Sequence, residues 1–427
     1  MEENITTQPI EPSKPLINQI PPLTSPRRSR RLWVAWMLYF FQFLAVGAYF
    51  IYLNVYFRQA GLSGTQIGII SMSSSIIGVA SAIIWGYVSD RTGKPRLLIA
   101  SGATGALIVA QFVPLVHTFW GFYALSCLAS ILSSALMTLV DGVTLAMLES
   151  KSENYGRYRL GGSIGYIIAS GISGFIYDRT GLGLIFPAYG LLMALFAGMA
   201  LLLPSIPVKM ERRVVSQLGV MIRQPAWVIF AVCVFMIWVA NYASIMYLGV
   251  SIQSLGGSQS MIGMASTSGA LVEIPFMAFS GWFIRRMGLA RLMLVAIVLM
   301  VIRYVLLGWM PTPAWAFYIN ILNGPAYGLF ATCSVAYAKK LAPPSLIVTS
   351  QGLLNSTMSL AGVISALMTG VLFDQIGPRG IFFVMALCCL AGLILFGVGS
   401  MRSPSKTSAE DPSNGITGPD HDSQSNL

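Results

Sequence analysis

The stretch GYVSDRTGKPR, Gly86–Arg96, is echoed by GWFIRRMGLAR, Gly281–Arg291, 195 residues further along the chain. A second pair of matching stretches, SGFIYDRTG at Ser173–Gly181 and TGVLFDQIG at Thr369–Gly377, has nearly the same offset of 196 residues. Repeats that share one register over this distance indicate a duplicated architecture rather than chance composition. The chain is therefore predicted to consist of two similar halves.

The composition places both halves in a membrane. Of the 427 residues, 55% are hydrophobic and only 10% are charged, with a mean hydropathy of +0.72, which excludes a soluble globular protein. A bilayer core about 30 Å thick requires about 20 mostly apolar residues per helical crossing. Polar breaks divide the chain into twelve predicted spans, numbered 1 to 12: 33–55, 65–88, 96–116, 119–148, 159–177, 183–204, 226–252, 259–283, 291–310, 313–338, 347–373 and 379–400.

The predicted fold class is an all-α integral membrane protein, with twelve transmembrane helices in two pseudo-symmetric six-helix halves. We predict that the halves occupy residues 32–204 and 226–400 and are joined by a central cytoplasmic loop at 205–225. An even number of helices per half makes the repeats parallel, with a substrate site between them at mid-depth. The polar tails, 1–31 and 401–427, are expected to be disordered and cytoplasmic.

The loop at 205–225 has two interpretations. Val214, Val215, Leu218 and Met221 recur at helical spacing beside basic residues, as in an amphipathic helix lying on the inner membrane surface. A plain flexible linker fits the sequence equally well.

The net charge of +11 is explained by membrane topology. With the N-terminus in the cytoplasm, nearly all Lys and Arg residues fall in cytoplasmic segments. Only Arg58, Arg179 and Arg379 fall outside, and Arg303 lies within a span. This distribution follows the positive-inside rule and indicates contacts with anionic lipid, so no nucleic-acid partner is expected. We predict a multi-pass protein of the bacterial cytoplasmic (inner) membrane.

Few residues are available for metal or covalent chemistry. The five cysteines lie in apolar spans without metal-ligand spacing, and the chain has two histidines. No pairing of a nucleophile with a base is recognisable. The sequence therefore predicts neither an enzyme nor a bound cofactor.

The loop between spans 2 and 3 resembles a known motif. Its pattern GxxxDRxGKxR is similar to the signature loop of the major facilitator superfamily, whose members have two six-helix halves. The resemblance implies a gating role at the cytoplasmic seam, with Asp90 pairing with basic groups or a helix N-terminus. The gating motif would comprise Gly86, Asp90, Arg91, Gly93, Lys94 and Arg96.

The start of span 5 points to one branch of that superfamily. YGRYRLGGSIGY, Tyr155–Tyr166, resembles the lactose permease and its relatives, the proton-linked oligosaccharide, nucleoside and phenylpropionate permeases. The resemblance implies that Arg159 holds substrate hydroxyls and that Tyr166 stacks on a sugar. Asp141, 18 residues before Arg159, has the spacing of a substrate-linked acid. Arg159 could instead be a topology anchor near the membrane surface.

Two acids, Asp141 and Glu273, lie inside predicted spans, where an ionised group costs about 2.5–3.5 kcal/mol. Glu273 precedes Arg285 by 12 residues, and Arg303 follows Arg291 by 12, which places both about 18 Å from the inner boundary. Glu273 and Arg303 are therefore predicted to form a buried ion pair near the midplane. Asp141 and Arg159 could pair across spans 4 and 5.

Span 10 departs from the lactose permease. Counted from Arg303, Asn323 and Ala326 occupy the places of a His and of the Glu that exchanges the coupling proton there. Glu273 and Asp141 remain as candidates for proton coupling. A carboxyl group can serve if its surroundings alternate between desolvation and an arginine neighbour.

The function predicted from these features is proton-coupled symport of a small polar organic solute, namely a sugar, a nucleoside or an aromatic acid. The partners would be the solute, the lipid bilayer and protons, with the proton gradient as energy source and the protein acting as a monomer. An uncoupled uniporter or exchanger is the alternative within transport, and a transporter-like sensor is the alternative outside it. The predicted substrate-binding residues are Glu273, Arg303, Asp141, Arg159, Tyr166, Asn323, Tyr327 and Asn241.

Overall fold

The computed structural model describes residues 25–148, 155–203, 221, 223–343 and 346–402, and within these ranges the chain is helical without β-strands. The first half contains α1 (Ser25–Gln59), α2 (Gly64–Thr92), α3 (Pro95–Phe112), α4 (Phe119–Ser133), α5 (Leu136–Leu148), α6 (Tyr155–Thr180) and α7 (Ile185–Leu201). The second half contains α8 (Pro225–Ser254), α9 (Gln259–Ala278), α10 (Ser280–Met287), α11 (Leu289–Gly308), α12 (Trp315–Ile321), α13 (Asn323–Leu341) and α14 (Ile347–Arg402).

The all-helical membrane fold is confirmed. Among the described residues, ten helical segments are long and apolar enough to cross a membrane. One of them, Thr349–Gly399, has 51 residues, enough for two crossings, and Gly377 at φ 73° divides it. Predicted span 10 is divided between the short α12 and the 19-residue α13, and it is not among the ten. The count of twelve crossings and the orientation of the termini stay predictions.

Helix extends into both segments predicted to be disordered tails. α1 begins at Ser25, inside 1–31. α14 ends at Arg402, two residues into 401–427. The rest of both tails, and residues 205–220 and 222 of the loop at 205–225, lie outside the described residues.

Predicted spans 4, 8 and 10 are interrupted helices. Span 8 breaks at Phe279, and within α9 Pro275 lacks the N–H that would donate to Leu271 O. Span 10 breaks at Leu322, and Pro325 removes the corresponding bond there. Span 4 breaks after Ser133, whose hydroxyl bonds back to Ala129 O at 2.8 Å. Broken helices in transporters border substrate sites, which makes these interruptions candidates for site architecture.

The signature loop forms a tight turn between α2 and α3. Gly93 adopts the left-handed conformation, φ 62°, and its N–H donates to Ser89 O at 2.9 Å, which ends α2. Pro95 then begins α3 at its first position. Gly86 is buried and Asp90 is exposed in this turn. The gating role of the motif stays a prediction.

At the end of the bundle opposite this turn, an aspartate from each half caps a helix of the other half. Asp374 in α14 accepts hydrogen bonds from the backbone N–H groups of Gly64 and Thr65, both at 2.7 Å, and from the Thr65 hydroxyl. Asp178 in α6 accepts from the N–H groups of Gln259 at 2.6 Å and Ser260 at 3.1 Å. A carboxylate at a helix N-terminus is stabilised by the unpaired N–H groups and the helix dipole.

These caps give the sequence repeats a structural meaning. The stretch ending at Gly377 supplies Asp374 to the GTQIG stretch, and the stretch ending at Gly181 supplies Asp178 to its repeat QSMIG. GTQIG ends at Gly68 and QSMIG at Gly263, again 195 residues apart. The closed end of the protein is therefore built twice, once on each side of a pseudo-twofold axis.

Glycines allow close helix contact beside both caps. A Cβ atom on Gly68 would lie 2.6 Å from Ala366 O, and one on Gly174 would lie 2.7 Å from the Ser260 Cα atom. Small residues of this kind let membrane helices approach to backbone contact. The Tyr247 hydroxyl adds a 2.8 Å bond to Gly64 O across the same interface.

Apolar side chains are exposed on α2 and α14 away from the caps. α2 packs against α14 at Gly68, whereas Ile83, Ile84 and Tyr87 near its far end are 72%, 63% and 60% exposed. Leu360 in the opposite part of α14 is 54% exposed. The contacts of α2 with α14 at the caps thus close the bundle at its predicted exterior end.

We predict that the double variant Asp178→Asn, Asp374→Asn opens the closed end more often than the native protein. Each substitution removes the charge from a cap whose hydrogen bonds are worth about 1–3 kcal/mol, and each 1.4 kcal/mol shifts the equilibrium about tenfold. Double electron–electron resonance between labels on exposed Thr180 and Ser254, in a background without the five native cysteines, measures the separation.

Arg179→Gln is the matched control, because it changes an exposed charge beside Asp178 without touching the cap. The longer label distance should gain population in the double variant and stay at the native level in the control. Identical distance distributions in all three proteins would contradict the role of the caps.

Candidate functional site

A cavity of about 440 Å³ lies between the two halves, lined by α1, α6, α8, α9, α11, α12 and α13. This volume is within the range of sites for small molecules. Six of the eight predicted substrate-binding residues line it: Glu273, Arg303, Tyr166, Asn323, Tyr327 and Asn241. The cavity ends toward the closed side at Ile51 and Gly249, where a Cβ on the glycine would lie 3.2 Å from Ile51 O.

Glu273 projects from α9 into this cavity without a protein partner. Its carboxylate makes no hydrogen bond or ion pair with any described residue. α13 packs closely against it, since a Cβ on Gly328 would lie 3.4 Å from Glu273 Cγ. An unpaired acid at this depth must be solvated by the cavity, bind a ligand or take up a proton.

The predicted ion pair between Glu273 and Arg303 is wrong. The Arg303 guanidinium, 3% exposed, instead donates from Nε and Nη2 to Asn320 Oδ1, at 3.2 and 2.6 Å, and from Nη2 to Ser244 Oγ at 2.9 Å. Counting residues placed both charges at one height, but it could not determine the direction in which each side chain points around its helix. An amide and a hydroxyl therefore take the place of the predicted carboxylate.

Aromatic rings and amides form the rest of the site. Tyr327 packs edge-on against Trp238, with ring centroids 5.7 Å apart, and Tyr166 faces the cavity from α6. The Asn241 Nδ2 atom is buried without a hydrogen-bond partner among the described residues. A buried donor in this condition is stabilised when a ligand supplies an acceptor. Such walls suit a polar solute with hydroxyl groups or a ring.

Asp141 and Arg159 form a second cluster, outside the residues that line the cavity. Asp141 Oδ1 accepts hydrogen bonds from the hydroxyls of Tyr39 at 2.7 Å and Tyr155 at 2.8 Å. Arg159 Nη1 lies 3.7 Å from the same oxygen atom, which confirms the predicted pairing. Gly161 lets α6 lie against α1 here, because a Cβ would meet Trp36 O at 2.7 Å. The cluster thus joins α1, α5 and α6.

The cluster is connected to the cavity through one aromatic ring. The Arg159 guanidinium lies over the Phe43 ring, 5.9 Å from its centroid, and Phe43 lines the cavity. Arg159 is 46% exposed and Asp141 30%. Both side chains are thus partly exposed, and the interpretation of Arg159 as a surface anchor and that of a substrate contact both stay predictions.

Two residues that contact Arg303 were not identified from the sequence. Asn320 and Ser244 are neutral and common in membrane helices, so composition and spacing did not distinguish them. The available signal was Arg303 itself, since a buried guanidinium requires several acceptors. Among the described residues, no group of three or more His, Cys, Asp or Glu is arranged to hold a metal ion.

Comparison with known proteins gives the family. The profile of the MFS_1 like family matches residues 32–384. The chain belongs to this family. It is 30% identical over 366 residues to the maltose permease of Geobacillus stearothermophilus, covering 84% of this chain and 92% of that protein.

Two further comparisons agree. The chain is 24% identical to the "Probable 3-phenylpropionic acid transporter" of Escherichia coli (strain K12), over 85% of this chain and 96% of that protein. Its fold is similar to the crystal structure of the nucleoside transporter NupG, with a TM-score of 0.77 and 16% identity, covering 87% and 99% of the two chains. The predicted superfamily and branch are therefore confirmed, and the chain is a multi-pass membrane transporter of small solutes rather than an enzyme.

We predict that Tyr39→Phe destabilises the protein by about 1–3 kcal/mol, because it removes a buried hydrogen bond to the Asp141 carboxylate. The measurement is the thermal unfolding midpoint of the purified protein. Tyr49→Phe is the control in the same helix, since the Tyr49 hydroxyl has no hydrogen bond to a described residue. Equal midpoints for the two variants would contradict the account of the Asp141 cluster.

Proposed function

We propose that the protein is a proton-coupled importer of a polar, sugar-sized solute, with a maltose-type disaccharide as the first candidate. The single observation that carries the proposal is the unpaired Glu273 carboxylate in a cavity of about 440 Å³ between the two halves. The protein would act as a monomer in the bacterial inner membrane and use the proton gradient as its energy source.

The walls of the cavity support a hydroxyl-rich solute. Glu273 can accept hydrogen bonds from hydroxyl groups, and the unpaired Asn241 Nδ2 can donate one. Tyr166 and Tyr327 offer aromatic faces on which a sugar or another ring can pack. The 30% identity to a maltose permease supports proposing a disaccharide before a nucleoside or an aromatic acid.

Coupling would follow from the same carboxylate. When the cavity is closed and dry, burying a protonated Glu273 costs little free energy. Burying the ionised carboxylate is disfavoured unless solvent or solute compensates its charge. Solute and proton binding would then be linked, so that each favours the other. The halves would rock about the cavity, with the Asp178 and Asp374 caps released when the exterior opens.

A second candidate function is uncoupled transport or exchange. It is favoured by one observation, that Asn323 lines the cavity and the neighbouring Ala326 is fully buried, so α13 supplies no titratable acid there. In this case Glu273 would serve only to bind solute. The two functions differ in whether a proton gradient can drive accumulation.

We predict that proteoliposomes with an imposed pH gradient accumulate labelled maltose. A gradient of one pH unit supports up to about tenfold accumulation at a one-to-one stoichiometry, since tenfold corresponds to about 1.4 kcal/mol. Glu273→Gln should abolish accumulation, because the amide cannot carry a proton. Uptake is measured with and without a protonophore, alongside counterflow exchange.

Asp141→Asn is the comparison variant, since it neutralises the other acid inside a span; loss of accumulation in this variant alone would assign the coupling to Asp141. If Glu273→Gln retains full accumulation, Glu273 is not the coupling acid. If the native protein shows counterflow that the protonophore does not affect and no accumulation, the uniporter or exchanger is correct. Nucleosides and 3-phenylpropionate, tested in parallel, would replace maltose if they alone are transported.

A further inference from the structure

Arg303 is a buried cation without an anionic partner. Among the described residues its guanidinium contacts no carboxylate, and its acceptors are the amide oxygen of Asn320 and the hydroxyl of Ser244. Glu273 lines the same cavity and also lacks an ion-pair partner. Opposite charges in one cavity of low polarity attract strongly, so their separation requires a structural cause.

Asn320 supplies that cause. Its Oδ1 atom accepts from two guanidinium nitrogens, and its Nδ2 atom donates to Ala265 O of α9 at 2.5 Å. The side chain is 5% exposed and is enclosed by α9, since a Cβ on Gly269 would lie 3.0 Å from Nδ2. Every polar atom of the Asn320 amide is therefore engaged, which fixes its orientation.

The anchoring point determines where the guanidinium is held. Ala265 and Glu273 belong to the same helix and are eight residues apart, which corresponds to about 12 Å along its axis. Because a Cβ on Gly269 would also lie 3.0 Å from Asn320 Nδ2, the Asn320 amide lies beside the stretch of α9 that precedes Glu273 by one to two turns, toward the closed end. Arg303 of α11 and Asn320 of α12 thus meet α9 at Ala265, and α8 contributes Ser244 to the same contact.

We propose that Asn320 is a positioning residue that holds Arg303 apart from Glu273 and so leaves the carboxylate free to exchange protons with the cavity. The inference deepens the proposed function and rests on Glu273 being the coupling acid. A neutral amide suits this task, because it accepts from the guanidinium without neutralising it and also donates to α9.

Glu273 faces few other titratable groups. In the cavity these are Tyr166 from α6, Tyr327 from α13 and Arg303 from α11. The lining residues of α1 are apolar, and those of α8 include only the uncharged polar groups Asn241 and Ser244. Arg159 lies over the Phe43 ring at the edge of the cavity, outside its lining. Arg303 is therefore the cation that lines the cavity together with Glu273.

The test is an infrared titration of the purified protein in nanodiscs without any solute. The band of the protonated Glu273 carboxyl is identified by its loss in Glu273→Gln. In Asn320→Leu we expect the midpoint of this band to fall by about one to three pH units, the effect of an arginine that has moved beside a carboxylate. Ser244→Ala removes one of the three hydrogen bonds and should shift the midpoint less.

The double variant Asn320→Leu, Arg303→Met separates positioning from general loosening of the structure. Removing the guanidinium as well should return the midpoint to the native value or above. A midpoint in Asn320→Leu equal to that of the native protein would overturn the proposal. A low midpoint that persists in the double variant would also overturn it, because the shift would then not come from Arg303.

A second variant and a separate uptake measurement cover the cases in which Asn320→Leu does not fold or the proposed function fails. If Asn320→Leu does not fold, Asn320→Ser takes its place, as it is small and polar and loses at least one of the two bonds to Arg303. Failure of the proposed function would appear separately, as unchanged proton-driven uptake in Glu273→Gln. The titration needs no substrate, so it tests the position of Arg303 in either case.

Discussion

A charged or polar group inside the hydrocarbon of a membrane must find a partner, and this constraint determines how the site is built. Arg303 satisfies it through an amide and a hydroxyl, and Asp141 through two tyrosines and Arg159. Glu273 alone among these charges has no partner in the described structure. Water, a solute or a proton in the cavity must therefore supply the partner of Glu273.

The same reasoning explains the closed end of the bundle. Helix N-termini in a membrane protein carry unpaired N–H groups, and Asp178 and Asp374 satisfy them across the interface between the halves. Duplication of the chain supplies two equivalent caps, while the cavity that they close off is asymmetric, since Glu273 and Arg303 both belong to the second half. The two caps are thus shared equally between the halves, whereas the second half supplies the charged groups of the cavity.

Much of this architecture could be predicted from the sequence. The repeats gave the two halves, the stretch Tyr155–Tyr166 gave the branch of the superfamily, and hydropathy gave most of the spans. The pairing of Asp141 with Arg159 was also predicted, because both lie near the same end of adjacent helices. These features depend on composition and on position along a helix, which a single sequence records directly.

The features that were missed depend on direction around a helix and on contacts between distant segments. Arg303 and Glu273 have similar predicted depths, yet Arg303 points to Asn320. Asp178 and Asp374 lie at helix ends, where an acid needs no special explanation, so their caps emerged only from the tertiary structure.

The central claim is that Glu273 binds both the solute and the coupling proton. The most direct measurement is the number of protons exchanged when maltose binds to the purified protein, in weakly buffered solution near neutral pH. The account predicts net proton uptake by the native protein and none by Glu273→Gln. Equal proton exchange in the two proteins would contradict it, because another group would then carry the proton.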